Sequence, residues 1–191
     1  MPNVASLTER NGDPKGVTLP NPNHLGDIFA QRETSLTLPP GFSPLERILL
    51  TANGNVQRIL SAYYNSPVSV VIVRNRKIDG ASNHVPPPGI TSKPKNALAV
   101  FDREVRIECL GQVCCKAVST VKILNDECLR LVDEQKVGIG QLFRYLNVLP
   151  SFALLNCGRS TGQFWRDYAL TSEGVRCEIR EEFPDGVFNF A

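Results

Sequence analysis

The 191-residue chain is 42% apolar and 21% charged, with a formal net charge of +2. This is the profile of an ordinary globular protein long enough to bury one sizeable core. Its basic residues are scattered, so the footprint of a nucleic-acid binder is missing, and no apolar run approaches the roughly 20 residues of a membrane-spanning helix.

The N-terminus lacks the charged-then-apolar pattern of a secretory signal and carries Glu9, Asp13 and Asp27, against a transit peptide. The expected setting is the cytoplasm, with neither nucleic acid nor membrane as a partner. None of the six cysteines forms a CxxC pair, and the two histidines, His24 and His84, sit in Pro/Asn-rich stretches. That pattern predicts buried, reduced thiols and no zinc site.

Residues 1–42 read as a weakly structured arm, rich in Asn, Pro, Gly and Thr, with a helical turn or two in Leu25 to Gln31. A single domain is expected over 43–191. Ser43-Pro44-Leu45-Glu46 has the form of a capping box with proline at the first helical position. After the break at Ala52-Asn53-Gly54, Asn55 caps a second predicted helix with Val56, Ile59, Leu60 and Tyr63 as its buried stripe.

Val68 to Arg74 is β-branched and predicts a strand, with Val68, Val70, Ile72 and Arg74 on one face. The Pro/Gly/Ser-rich stretch 76–97 is long for a loop and suggests a flap over a site. Leu98 to Leu110 and Val113 to Ile123, joined at Gly111, predict an antiparallel hairpin. Val113, Cys115, Ala117 and Val121 fall on one side of its second strand.

Asn125 then caps a helix to about Gln135. A second follows with Ile139, Leu142, Phe143 and Leu146 as its stripe. Three strands close the chain, over Phe152–Cys157, Phe164–Thr171 and Val175–Phe183. The whole is an α+β pattern with a single antiparallel β-sheet and flanking helices.

Three of these strands carry an ionisable residue on their apolar face. Arg103 stands among Phe101, Val105, Ile107 and Cys109; Arg166 stands between Phe164 and Tyr168; Glu181 lies among Cys177, Ile179 and Phe183. Buried charges need partners, and two arginines against one carboxylate leave positive charge over. A small-molecule carboxylate would match it, because arginine's planar fork suits that group.

Several motifs resemble those of the chorismate pyruvate-lyases, especially the mycobacterial-type 4-hydroxybenzoate synthases. The resemblance runs from Ile48 to Phe188. Ile48-Leu49-Leu50-Thr51-Ala52-Asn53-Gly54-Asn55-Val56-Gln57-Arg58 is similar to the family's helix–turn–helix opening. Val70-Val71-Ile72-Val73-Arg74 resembles its first strand, and Arg103-Glu104-Val105 its catalytic Arg-Glu-Ile. Ile139-Gly140-Gln141-Leu142-Phe143 is similar to its Leu-Gly helix start. Gly158-Arg159, Trp165-Arg166 and Tyr168 resemble the penultimate strand pair, and Arg180-Glu181-Glu182-Phe183 the terminal Thr-Glu-Leu-Phe.

The resemblance implies a chorismate lyase-like fold and a cofactor-independent lyase that converts chorismate to 4-hydroxybenzoate and pyruvate. Arg103 and Glu181 would be catalytic, Arg166 and Arg74 anion anchors, and Val56 and Ile139 apolar walls. Asp167 stands where the family often has a second basic residue, and Cys114-Cys115-Lys116-Ala117 where an arginine can occur. These departures keep two alternatives open. One is a divergent member acting on another carboxylated secondary metabolite by elimination, cyclisation or rearrangement. The other is a non-catalytic sensor of aromatic carboxylates. The oligomeric state has no signature in the sequence.

Overall fold

The computed structural model describes residues 28–29, 34–53, 55–78, 97–135 and 139–190, with side chains from residue 36 onward and, in the last helix, from residue 141. Two short strands, β1 (Ile28–Phe29) and β2 (Thr34–Ser35), pair antiparallel. Residues 28–29 are therefore extended, not helical as the arm's short apolar run predicts. The remainder of Leu25–Gln31 and the 79–96 part of the expected flap lie outside the described residues.

Helix α1 (Pro44–Thr51) begins at the expected capping box. Ser43 N donates to Glu46 Oε2 at 2.8 Å and Glu46 N donates to Ser43 Oγ at 3.3 Å. Helix α2 (Val56–Tyr64) departs from expectation at its cap. Asn55 sits at φ −109°, ψ 32°, off the extended geometry that aims a side chain at the first turn. Its amide donates instead to Asn53 O at 3.4 Å. Helix α3 (Asp126–Asp133) is capped as expected, with Cys128 N donating to Asn125 Oδ1 at 2.9 Å. Helix α4 (Ile139–Tyr145) follows.

Six strands, β3 (Val68–Lys77), β4 (Ala99–Cys109), β5 (Gln112–Ile123), β6 (Ser151–Ser160), β7 (Gln163–Ser172) and β8 (Val175–Pro184), form one antiparallel sheet. Their order is β3-β4-β5-β8-β7-β6. The fold is thus α+β with one antiparallel sheet and flanking helices. The β4–β5 hairpin turns through Leu110 and Gly111, both at positive φ (52° and 74°). This matches the two-residue turns whose twist suits paired strands, and the second position favours glycine.

All four helices cover the same sheet face. Leu49 and Leu50 of α1 and Val56 and Leu60 of α2 pack with Ile107, Cys115, Phe164 and Phe183. Phe42, just before the expected domain start, joins this core. Cys128 and Val132 of α3 and Leu142 of α4 pack with Phe101, Val121, Leu154, Tyr168 and Cys177. The helices thus form two cores, and the sheet residues between them, Val105, Ala117 and Ser119 among them, are buried but line a cavity. All six cysteines are free and buried, and among the described residues no group of side chains could hold a metal ion. No helix among them is long and apolar enough to cross a membrane.

The sheet has three register shifts, one of them in the β6–β7 pairing between Leu154 and Asn156, and the other two reverse alternation that the sequence pattern implies. At the β3–β4 pairing the register shifts between Ile72 and Arg74. Val68, Val70 and Ile72 therefore pair with the apolar-face residues of β4, while Arg74 pairs with Glu104 on the other face. At the β4–β5 pairing Ile107 faces Cys115 but Glu108 faces Val113, so Val113 does not share a side with Cys115.

The face away from the helices is a lattice of charges. Lys122 Nζ lies 3.0 Å from Glu178 Oε2, with both side chains buried. Asp167, 3% exposed, lies 3.3 Å from Arg180 Nε. Burial pushes its pKa up to about 6, against the pull of Arg180 and with repulsion from Glu182 adding to the rise. An unfolded aspartate titrates near about 3.9. Between about pH 4 and pH 6 the folded state thus holds a proton that the unfolded chain has released, and Asp167's contribution to stability falls as pH rises. Asp167→Asn should therefore flatten the decline of Tm across that window and raise Tm at pH 7.5. Thermal melts of both proteins from pH 4 to pH 8 check it.

Candidate functional site

Where the two helical cores part, the four central strands floor a cavity of about 140 Å³. One water needs only about 10–15 Å³ of such space, so a small organic molecule fits. Strand β4 contributes Arg103, Val105 and Ile107 to the floor, and β5 contributes Ala117, Ser119 and Val121. From β8 come Cys177, Ile179 and Glu181, and from β7 Tyr168 and Leu170. Gln57 of α2 and Phe143 of α4 complete the lining. The walls are largely apolar, with a few polar groups converging on them, as small-molecule sites commonly are.

Arg103 and Glu181 line this one cavity from strands separated by β5. Arg103 pairs with Ser119, and Glu181 pairs with Ala117 two residues along. Their Cα atoms are therefore offset by two strand spacings, roughly 10 Å, and by roughly 7 Å along the strands. Long side chains at both ends leave the middle for an apolar body. Among the described residues no carboxylate lies within ion-pair distance of Arg103. Burial lowers its pKa, with only a small opposing influence from the Cys177 thiol. Cys177 itself is pushed up to about 12 by burial, despite Arg103, and is held as a neutral thiol.

Glu181 and Arg166 are cross-strand neighbours. Arg166 Nε donates to Glu181 Oε2 at 2.8 Å. Nη2 lies at the same distance from that oxygen but off the hydrogen-bonding angle. The other carboxylate oxygen accepts from the Tyr168 hydroxyl at 2.9 Å. Burial and the neighbouring Glu181 charge push that phenol well above its ordinary pKa, so it remains a donor. Arg166 Nη1 donates to the carbonyls of Leu50 at 3.1 Å and Ala52 at 2.5 Å, groups left open at the end of α1. The guanidinium carbon sits 4.3 Å from the Tyr168 ring centroid. Burial, the largest single influence, lowers the Arg166 pKa, but the Glu181 charge, Tyr168 and the hydrogen bond to Glu181 together outweigh it and the net shift is upward.

Arg166 is thus an internal counter-ion and a clasp on α1, fully buried beneath the cavity wall. Arg74 is not at the site at all. On the opposite face, its Nε and Nη2 donate to Asp102 at 2.8 and 3.0 Å, and its Nη1 donates to Glu104 at 2.7 Å. The Val73 bulge is the reason. Val56 is buried in the α1–α2 core, and its neighbour Gln57 reaches the cavity instead. The Ile139 side chain lies outside the described residues; its helix contributes Phe143.

Of the thirteen lining residues only Arg103 and Glu181 are among the site residues expected from the sequence; the other eleven include the polar or aromatic Gln57, Ser119, Phe143 and Tyr168. Ser119 had a legible signal, since it stands between Ala117 and Val121 on an otherwise apolar side. Comparison with models of known protein families and with curated proteins finds no match for this chain.

Proposed function

We propose that the protein is a lyase of the chorismate pyruvate-lyase kind, which releases 4-hydroxybenzoate and pyruvate from chorismate. One observation carries this reading. A cavity of small-molecule size has at one end an arginine, Arg103, without an ion-pair partner among the described residues, and at the other a held carboxylate, Glu181. A cyclic acid with a carboxylate at one end and an oxygen function at the other matches that polarity, its ring lying against Val105, Ile179 and Phe143.

In the reaction the ether bond between ring carbon and enolpyruvyl oxygen breaks, and the electron pair leaves with the oxygen. The neighbouring hydroxyl-bearing carbon loses its proton, the ring becomes aromatic, and the enolpyruvate takes up a proton on its methylene to become pyruvate. Arg103 holds a substrate carboxylate and lowers the cost of negative charge developing in the transition state. Glu181 retains free lone pairs beside those used by Arg166 and Tyr168. It accepts from the ring hydroxyl and fixes the ring's orientation. Tyr168 and Arg166 are positioning residues that keep Glu181 in one rotamer.

A second reading is favoured by the fate of Arg166. With that cation spent on Glu181 and α1, the described lining offers one free guanidinium, whereas chorismate carries two carboxylates. A relative acting on, or sensing, a ring monocarboxylate would be served by one. The pure protein mixed with chorismate should yield equimolar 4-hydroxybenzoate and pyruvate. No product from a folded sample, with 4-hydroxybenzoate still bound, moves the assignment to the second reading.

A further inference from the structure

We infer that Ser119 is a second carboxylate-binding residue, and that its hydroxyl and the Arg103 guanidinium together cradle the ring carboxylate of the cavity's ligand. This rests on the reading of the cavity as a site for a cyclic acid, and it names the end at which the acid group sits.

Ser119 and Arg103 are direct cross-strand partners in the β4–β5 ladder. Residues so placed on one face have Cβ atoms about 4.5–5.5 Å apart, close enough for both side chains to reach a single carboxylate. Both line the cavity. Ser119 is a buried polar residue, 6% exposed, and among the described residues nothing accepts from or donates to its hydroxyl. Its oxygen is not shut inside the protein but opens onto the cavity, so a ligand there can take up its hydrogen bond.

Its neighbours along β5 on this side, Ala117 and Val121, are apolar, so a serine here does not serve packing. The other polar groups of the floor are already committed, Glu181 and Tyr168 to each other and to Arg166. Among the described residues, and apart from the weakly donating Cys177 thiol, the open donors on the floor are Arg103 and Ser119, and they adjoin. A guanidinium supplies a planar pair of N–H groups to one edge of a carboxylate. The hydroxyl donates to a remaining lone pair, which fixes the tilt of the group that Arg103 alone would leave loose.

The test uses Ser119→Ala in the full chain, with 4-hydroxybenzoate and 4-methylphenol as probes in titration calorimetry. The variant loses no internal hydrogen bond, so its Tm should equal or slightly exceed that of the parent. Its affinity for 4-hydroxybenzoate should fall about tenfold or more, as expected for a hydrogen bond to a charged group. Its affinity for 4-methylphenol, which has the hydroxyl end but no carboxylate, should be unchanged. Equal affinity of both proteins for 4-hydroxybenzoate overturns the assignment of Ser119 while leaving the cavity's reading intact. Equal losses for both probes also overturn it, because they would mark a change in cavity shape. Failure of the folded parent to bind 4-hydroxybenzoate overturns the reading beneath it, and this inference falls with it.

Discussion

Replacing Arg103 with methionine should make the ligand-free protein more stable while lowering kcat/KM on chorismate by at least about a hundredfold. The two effects share one cause. Arg103 is held in the cavity floor with no counter-ion among the described residues, and burial already disfavours its charged form. Methionine fills similar space without that desolvation cost, and replacing a poorly compensated interior charge by an apolar side chain is commonly stabilising. The same charge is the proposed carboxylate anchor, and removal of one electrostatic stabiliser costs about 10²–10³ in rate. Arg103→Lys separates charge from shape. It keeps the cation but loses the planar fork, so it should recover part of the binding and less of the turnover. Thermal melts beside steady-state kinetics of the three proteins check this. A large fall in Tm for Arg103→Met would show that Arg103 is a structural residue with a partner of its own.

The residues that proved legible in the sequence are those on strands without irregularities. Simple alternation holds through β4 from Phe101 to Cys109 and through β8 from Val175 to Phe183. Arg103 and Glu181 could therefore be placed on the apolar face from the pattern alone. Alternation is a running parity, and one inserted residue inverts everything beyond it. The bulge at Val73 therefore moved Arg74 from the expected site to an ion pair with Asp102 and Glu104 on the far face. The bulge at Cys114 moved Val113 in the same way.

The role of Arg166 was hidden for a different reason. Its face was correct, but the groups that consume it, the Leu50 and Ala52 carbonyls, lie 116 and 114 residues away in sequence. No local period reports a helix end arriving over a strand. Ser119 was visible by the rule that found Arg103. A small hydroxyl on an apolar face attracts less notice than a charge, although an unpartnered one is also informative.

Arg166→Met should be the most destabilising single change in the molecule, at about 3–5 kcal/mol, the cost of leaving one member of a buried pair behind. For a protein of ordinary stability that is a large share of the total. The substitution strands the Glu181 carboxylate in the cavity wall with only Tyr168 beside it. It also leaves the carbonyls at the end of α1 without their donor. The double variant Arg166→Met/Glu181→Leu removes the stranded charge and should recover much of the loss, short of the part owed to the α1 carbonyls. Urea unfolding of the parent, both singles and the double gives the coupling between the two residues directly. The same set decides what Glu181 is for. If it serves only to neutralise Arg166, the stable double variant should turn over chorismate as the parent does. If it holds the ring hydroxyl, the double variant should fold, keep its carboxylate anchor at Arg103, bind 4-hydroxybenzoate less tightly and remain inactive.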